Sequence, residues 1–348
     1  MVGKYEIQVK TNKVEFKLEI KRKYTILRGD SGTGKTRLSG LIQKSKFYNS
    51  GIKVICDLPI ITVQDTDVFQ LYLDRNDKAI YILDEAVCRE LYYNYNIVDL
   101  TEKREGYFVL ITRYKFGGIP YSCSDVYYMD YKNSIGNKTF YQARNCYEWE
   151  DDFSVNASYI ITEDEKAGFK FYRDTCNGEV ISAKGNSNLS KIALNLLSSG
   201  KNNIFIIADG SAFGSHIEKC IDLVKNQYEG RVVRLFIPES FEYLVLKSGI
   251  FKVPDKYLNE TFNHADSVKF LSWERYYTWL LGKVAKKYKT EYHKECKELP
   301  KYLISDSSVS KMYSVIKGNY KPQISYNVCY ELIDYGMYAR ESSMIGLA

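Results

Sequence analysis

The chain is short of the residues that staple or metallate small proteins. Its eight cysteines contain no CxxC pair, and its three histidines, His216, His264 and His293, are scattered. That spacing argues against a zinc site and, in a reducing compartment, against a disulfide framework. Long apolar runs are missing too. No stretch approaches the ~20 residues a membrane span needs, and Met1 to Lys10 lacks the apolar core of a secretory signal. A cytoplasmic protein without membrane contact is expected. No low-complexity tract and no repeat at solenoid spacing interrupts the sequence.

What is present is ordinary globular material. The 348 residues allow two or three domains, since a domain usually runs to ~100–200 residues. A net charge of +6 permits an acidic partner without demanding one. Tyrosine is abundant, at 32 residues against 3 tryptophans. A cluster such as Tyr92, Tyr93 and Tyr95 could stack bases, although half-buried strands and helix faces absorb tyrosine equally well.

Hydrophobic periodicity divides the chain. Tyr5, Ile7 and Val9 alternate with polar residues, as do Val14, Phe16, Leu18 and Ile20, and a third run at Tyr24–Leu27 leads into a glycine-rich turn. A helix is expected from Lys35, and buried strands at Lys78–Leu83 and Tyr107–Ile111. After Pro120 a hairpin around residues 133–137 looks as though it leaves the first unit. From Tyr159 a second series of alternating strands and helices begins, and from about Phe251 the pattern is largely helical. The expected layout is an α/β domain over 1–130, a hairpin or linker over 131–155, a second α/β domain over 156–250 and a mainly helical region over 251–348.

Gly29-Asp30-Ser31-Gly32-Thr33-Gly34-Lys35-Thr36 matches GxxxxGK[ST] in full, with a strand before it and a helix after. Glycines let the backbone curl so that successive N–H groups point at phosphate oxygens, and the helix N-terminus adds partial positive charge. Lys35 is placed to reach the β- and γ-phosphates, and the Thr36 hydroxyl to take a position on Mg²⁺. The strand Ile80–Leu83 ends in Asp84 and Glu85, the pattern in which the first acid holds Mg²⁺ through water and the second acts as general base. Thr112 and Arg113 follow the next buried strand, where they would sense the γ-phosphate and stabilise transition-state charge, or simply end the strand.

Together these residues resemble the P-loop NTPases with a catalytic glutamate, the division that includes the ABC, RecA-like and AAA+ families. The opening hairpin is most like the ABC branch, but no LSGGQ-like signature precedes Asp84, which sets ABC-style sandwich dimerisation in doubt. The resemblance implies a three-layer P-loop fold and ATP with Mg²⁺, adenine being preferred to guanine on the resemblance itself; nothing resembles an elongation-type GTPase, whose NKxD motif is missing.

In the second series, polar residues follow the strands: Glu163 and Asp164, then Asp209 and Ser211, then Glu239 and Glu242. Carboxyl ends of adjacent parallel strands share one crevice, and converging carboxylates suit Mg²⁺. The arrangement resembles a TOPRIM domain, a Rossmann-like fold. Glu163 matches its glutamate and Asp209 its first aspartate, while Ser211 replaces the second; Asp164, Glu239 or Glu242 could compensate. A P-loop ATPase followed by such a domain is similar to OLD-family nucleases. The GDSGTGKT, ILDE, ITR and PESFEYL segments also resemble small ATPases of mobile elements and prophages, often labelled translation initiation factor 2. That resemblance implies a role in phage defence or mobile-element biology.

Lys283–Lys301 interleaves seven lysines with Tyr288 and Tyr292, the composition of a phosphate-backbone surface, diluted by Glu291, Glu295 and Glu298. Three functions follow. The first is an ATPase controlling a nucleic-acid-processing or partner-binding domain. The second is a nucleotide-dependent switch or assembly protein, homo-oligomeric or bound to a partner, whose second domain is inert. The third is a P-loop kinase, against which Glu85 argues because simple P-loop kinases usually lack it.

Overall fold

The computed structural model describes residues 1–29, 34–75, 78–113, 115–135, 138–149, 157–225, 232–316 and 322–323. Asp30, Ser31, Gly32 and Thr33 of the glycine-rich loop lie outside these described residues.

The alternating N-terminal runs form an antiparallel hairpin, β1 (Tyr5–Lys10) and β2 (Val14–Ile20), with Val9 opposite Phe16. Their apolar residues from Ile7 to Ile20 are buried, as a half-exposed sheet requires. β3 (Tyr24–Arg28) follows and leads to α1 (Lys35–Lys44). β4 (Lys53–Ile55) and β5 (Ile60–Val63) precede α2 (Thr66–Arg75). β6 (Ala79–Leu83), α3 (Glu85–Asn94), α4 (Ile97–Thr101) and β7 (Gly106–Ile111) complete the α/β series. β6 and β7 are buried throughout, because helices and loops cover both faces of the sheet. Tyr24, Tyr81 and Phe108 face one side, where Tyr81 stacks on Phe108 at 5.2 Å; Leu27, Ile82 and Val109 face the other. That two-sided burial explains runs without polar alternation.

β8 (Val126–Ile135) and β9 (Lys138–Asn145) form the hairpin expected to leave this unit. It lies inside the sheet instead. The strand order is β4-β1-β2-β9-β8-β3-β7-β6-β5, with β9 parallel to β2 and β8 parallel to β3. The hairpin therefore welds the opening strands to the strand before the glycine-rich loop. Local alternation identifies a hairpin but says nothing of the strands its outer edges will pair with.

β10 (Glu148–Trp149) precedes the second sheet in sequence and pairs antiparallel with β15 (Pro322–Gln323), which follows it. That sheet is wholly parallel and ordered β12-β11-β13-β14, from β11 (Tyr159–Thr162), β12 (Glu179–Ser182), β13 (Ile204–Ile207) and β14 (Val233–Phe236). The connecting helices are α5 (Ala167–Thr175), α6 (Leu189–Ser198) and α7 (Ile217–Lys225). α8 (Phe241–Lys247), α9 (Lys256–Asn259), α10 (Trp273–Lys287) and α11 (Asp306–Val315) follow, joined by irregular stretches. α8, α10 and α11 share one apolar core with α5 and with Phe205 and Phe236 of the second sheet. No helix among the described residues is long and apolar enough to cross a membrane, and the seven described cysteines are all free.

The two sheets share a core. Phe116, Ile119 and Tyr121 pack in one cluster with Phe213 and Ile217, and the Cys123 N–H donates to Gly210 O at 3.1 Å. Gly210 is obligatory there, since a Cβ would stand 2.7 Å from Ile237 O and 2.9 Å from Pro238 O.

Candidate nucleotide and acid sites

β3, β7 and β6 lie side by side and parallel, with Leu27 paired to Ile111 and Leu83 to Leu110. Their carboxyl ends therefore deliver Gly29, Thr112-Arg113 and Asp84-Glu85 to one edge of the sheet. Gly29 has φ 127° and Gly34, the residue before α1, has φ 90°, backbone that side chains with a Cβ resist. Lys35 is buried in the first turn of α1 and its ammonium donates to Gly29 O, folding back across the loop. Thr36, beside it, is exposed. Asp84 caps α3, accepting from the N–H groups of Ala86 and Val87 at 3.0 and 3.1 Å. Glu85 follows in the first helical turn, and its Oε1 lies 3.0 Å from Nε of Arg113. Thr112 is buried, and its N–H donates to Leu27 O at 3.2 Å, locking the end of β7 to β3. Glu85 and Arg113, which the sequence singles out separately, are thus brought together, and a hydroxyl with a carboxylate at one edge is a donor set that fits hydrated Mg²⁺.

Arg22 and Arg28 bracket β3, and both are grips that no sequence pattern announces. Arg22 is buried and donates through both terminal nitrogens to Glu239 at 2.9 and 2.7 Å, with Nε 2.5 Å from Asp125 and Trp273 stacked on the guanidinium. Arg28, one residue before Gly29, pairs with Glu218 of α7, which Lys115 also reaches at 2.9 Å. Both ends of the strand that carries the glycine-rich loop are therefore fixed to the second α/β unit. Isolated arginines carry no periodic signal, so only the fold could reveal them.

The second acid group sits where strand order reverses between β11 and β13, the crevice position of an open parallel sheet. Glu163 and Asp209 do converge: the Asp209 N–H donates to Glu163 Oε2 at 3.3 Å. The cavity beside them is also lined by Tyr172, Glu242 and Lys294. Ser211 does not join them. Its hydroxyl donates to Glu239 O at 2.5 Å, tying down the loop after β14. Glu239 is taken by Arg22. Asp164 turns to the Lys166 N–H at 2.9 Å. Of the three acids that could compensate for Ser211, Asp164 and Glu242 line the cavity, and Glu242 is fully buried there, accepting from the Tyr292 hydroxyl at 2.7 Å.

The cation position is filled by the chain itself. Lys294 Nζ lies 3.1 Å from Asp209 Oδ2 and 2.5 Å from Glu274 Oε1. Among the described residues, no three His, Cys, Asp or Glu side chains are arranged to hold a metal ion. The donor set expected at Glu163 and Asp209 therefore does not fit a divalent metal as it stands. The Lys283–Lys301 segment is not one basic face either: α10 ends at Lys287, Lys283 stacks on Trp279 at 4.5 Å, and Lys294 turns inward.

Burial pushes the Glu163 carboxyl up to about 8, with Asp209 and Glu274 adding repulsion. Burial likewise raises Asp209, to about 7, against the pull of Lys294. Burial opposes the charge of Lys294, but Asp209, Glu242 and Glu274 more than offset it and hold the ammonium. A carboxyl raised on folding contributes stability that is present below its unfolded value, 4.5, and is lost as pH rises through about 8. Glu163→Gln is therefore expected to melt above the native chain at pH 8.5 and level with it at pH 4, as followed by circular dichroism. Equal melting at both values would refute the raised carboxyl.

Comparison with known proteins assigns no family: no protein-family model matches the chain, and no curated protein matches it significantly.

Proposed function

We propose that the chain is a P-loop ATPase whose nucleotide state acts on the second α/β unit. The observation that carries this reading is the convergence of Gly29, Gly34 and Lys35 with Asp84, Glu85 and Arg113 at the carboxyl edge of three adjacent parallel strands. The GxxxxGK[ST] match and its strand–loop–helix setting support it. Lys35 leaves Gly29 O for the phosphates when the loop fills. Thr36 and Asp84 would hold Mg²⁺, which neutralises phosphate charge when bound. Glu85 takes the proton of the attacking water, and Arg113 orients that carboxylate and faces the charge that develops on the γ-phosphate. Adenine is the proposed base on resemblance alone, as is a setting in phage defence or mobile elements.

The second unit is proposed as a TOPRIM-like module in topology that binds a partner, either nucleic acid or protein, with assembly of several copies as a further proposal. Arg28 beside the loop and Glu218 on α7 give nucleotide binding a direct route to it. The inward turn of Lys294 favours this partner-binding reading over metal-dependent cleavage of nucleic acid.

The test is phosphate release from ATP by the purified full chain with Mg²⁺ and no added acceptor. Steady turnover is expected. Turnover only with an added acceptor would sink the hydrolase reading in favour of a kinase, and no nucleotide binding would sink both.

A further inference from the structure

The acid cluster at the β11/β13 switch point holds an ammonium among its carboxylates. Glu163 and Asp209 end two neighbouring strands, Glu274 enters from the first turn of α10, and Glu242 from the first turn of α8. Glu242 carries the second, independent observation. It is fully buried and lines the cavity, yet its Oε2 has no hydrogen-bond partner. The buried Tyr172 hydroxyl, on the same cavity, has none either. An unpaired carboxylate oxygen in such a place costs free energy unless a cation stands near it. Lys294 lines the same cavity and feels the charge of Glu242 as well as those of its two contacts.

We propose that Lys294 is a tethered substitute for a divalent metal ion, so that the second site works as a metal-free carboxylate–ammonium centre and excludes Mg²⁺ and Mn²⁺. The backbone around it is fixed, since Lys294 O accepts from the Ala167 N–H at 3.1 Å and the nearby Tyr292 is anchored on Glu242. An ammonium supplies one positive charge and three donors at a fixed point. It neutralises Asp209 and Glu274 but has neither the charge nor the open coordination positions that a bound ion would offer a phosphodiester or a water molecule. The lysine is also held as an ammonium, not a free amine, which rules it out as a nucleophile. The consequence is specific. Removing the ammonium leaves Glu163, Asp209, Glu242 and Glu274 facing one another without a counter-charge, the condition under which a divalent cation binds.

The inference stands apart from nucleotide hydrolysis, so its test uses the nucleotide-free full chain. Mn²⁺ binding is measured by electron paramagnetic resonance and calorimetry. The native chain is expected to bind no more Mn²⁺ than Asp209→Asn does. Lys294→Ala is expected to gain one Mn²⁺ per chain, tightened by at least about tenfold because one opposing charge has gone. The double variant Lys294→Ala with Asp209→Asn should lose it again. Lys294→Met, which keeps the aliphatic stem, serves the same comparison if the alanine variant does not fold. Two results overturn the proposal: a Mn²⁺ ion on the native chain that Asp209→Asn abolishes, or a folded Lys294 variant that gains none. The first needs only the native chain and Asp209→Asn, whatever the Lys294 variants do.

Discussion

Replacing Glu85 by glutamine is expected to lower ATP turnover by about 10²–10⁴-fold, the usual contribution of a positioned general base, while nucleotide binding persists. The amide keeps the size of the side chain and its place in the first turn of α3, but it cannot accept the proton of the attacking water. Asp84 caps that helix from the preceding position, so the turn that carries residue 85 stays formed. Lys35→Ala should behave differently and lose binding along with turnover, because the residue serves the phosphates directly. Arg113→Ala is expected to fall between them, since the arginine 3.0 Å from Glu85 orients the base without replacing it. Phosphate release and fluorescent-nucleotide titration separate these effects. If Glu85→Gln turns over ATP at the native rate, the general base is elsewhere and the assignment of this edge as a hydrolytic site fails.

Replacing Arg22 by leucine is expected to destabilise the protein by about 3–5 kcal/mol, the cost of breaking a buried ion pair from one side. The side chain is only 6% exposed, and Asp125 is fully buried beside it. Removal strands Asp125 in the interior and leaves Glu239 without its paired donors. Burial already raises the Asp125 carboxyl, and Arg22 is the largest influence opposing that rise. Without the arginine the carboxyl moves further up, so the variant loses more at pH 8 than at pH 5, where Asp125 can take a proton. Arg22→Lys should rescue little, since an ammonium can neither grip Glu239 through two nitrogens nor stack on Trp273 as a planar group. Adding Asp125→Asn to Arg22→Leu should restore part of the loss by removing the stranded charge. Urea unfolding of the native chain and these three variants measures the differences. A loss under about 1 kcal/mol would mean that the pair behaves like an exposed one and does not tie the sheets together.

The second prediction also bears on the strand that leads into the glycine-rich loop. Arg22 stands two residues before β3 and Arg28 closes it one residue before the loop, each reaching an acid of the second unit. Loosening the first grip should therefore disturb nucleotide turnover as well as stability, although Arg22 touches no part of the nucleotide edge.

By itself the sequence determined most of the elements and singled out the residues proposed for the first site. The buried strands ending at Leu83 and Ile111, the alternation before Tyr24 and the glycines around Lys35 are local signals, because backbone dihedrals and side-chain periodicity are set within a few residues. The alternation of strands and helices from Tyr159 onward was legible for the same reason. Only the tertiary structure decided which strands neighbour one another, and with it that β8 and β9 belong inside the first sheet. It also decided the fate of single charges. Ser211, Glu239 and Asp164 are spent on loops and on Arg22, and Lys294 leaves a basic segment to pair with Asp209, 85 residues away in sequence. A charged side chain has no periodicity of its own, and its partner is chosen by which desolvated group the closed fold brings within reach.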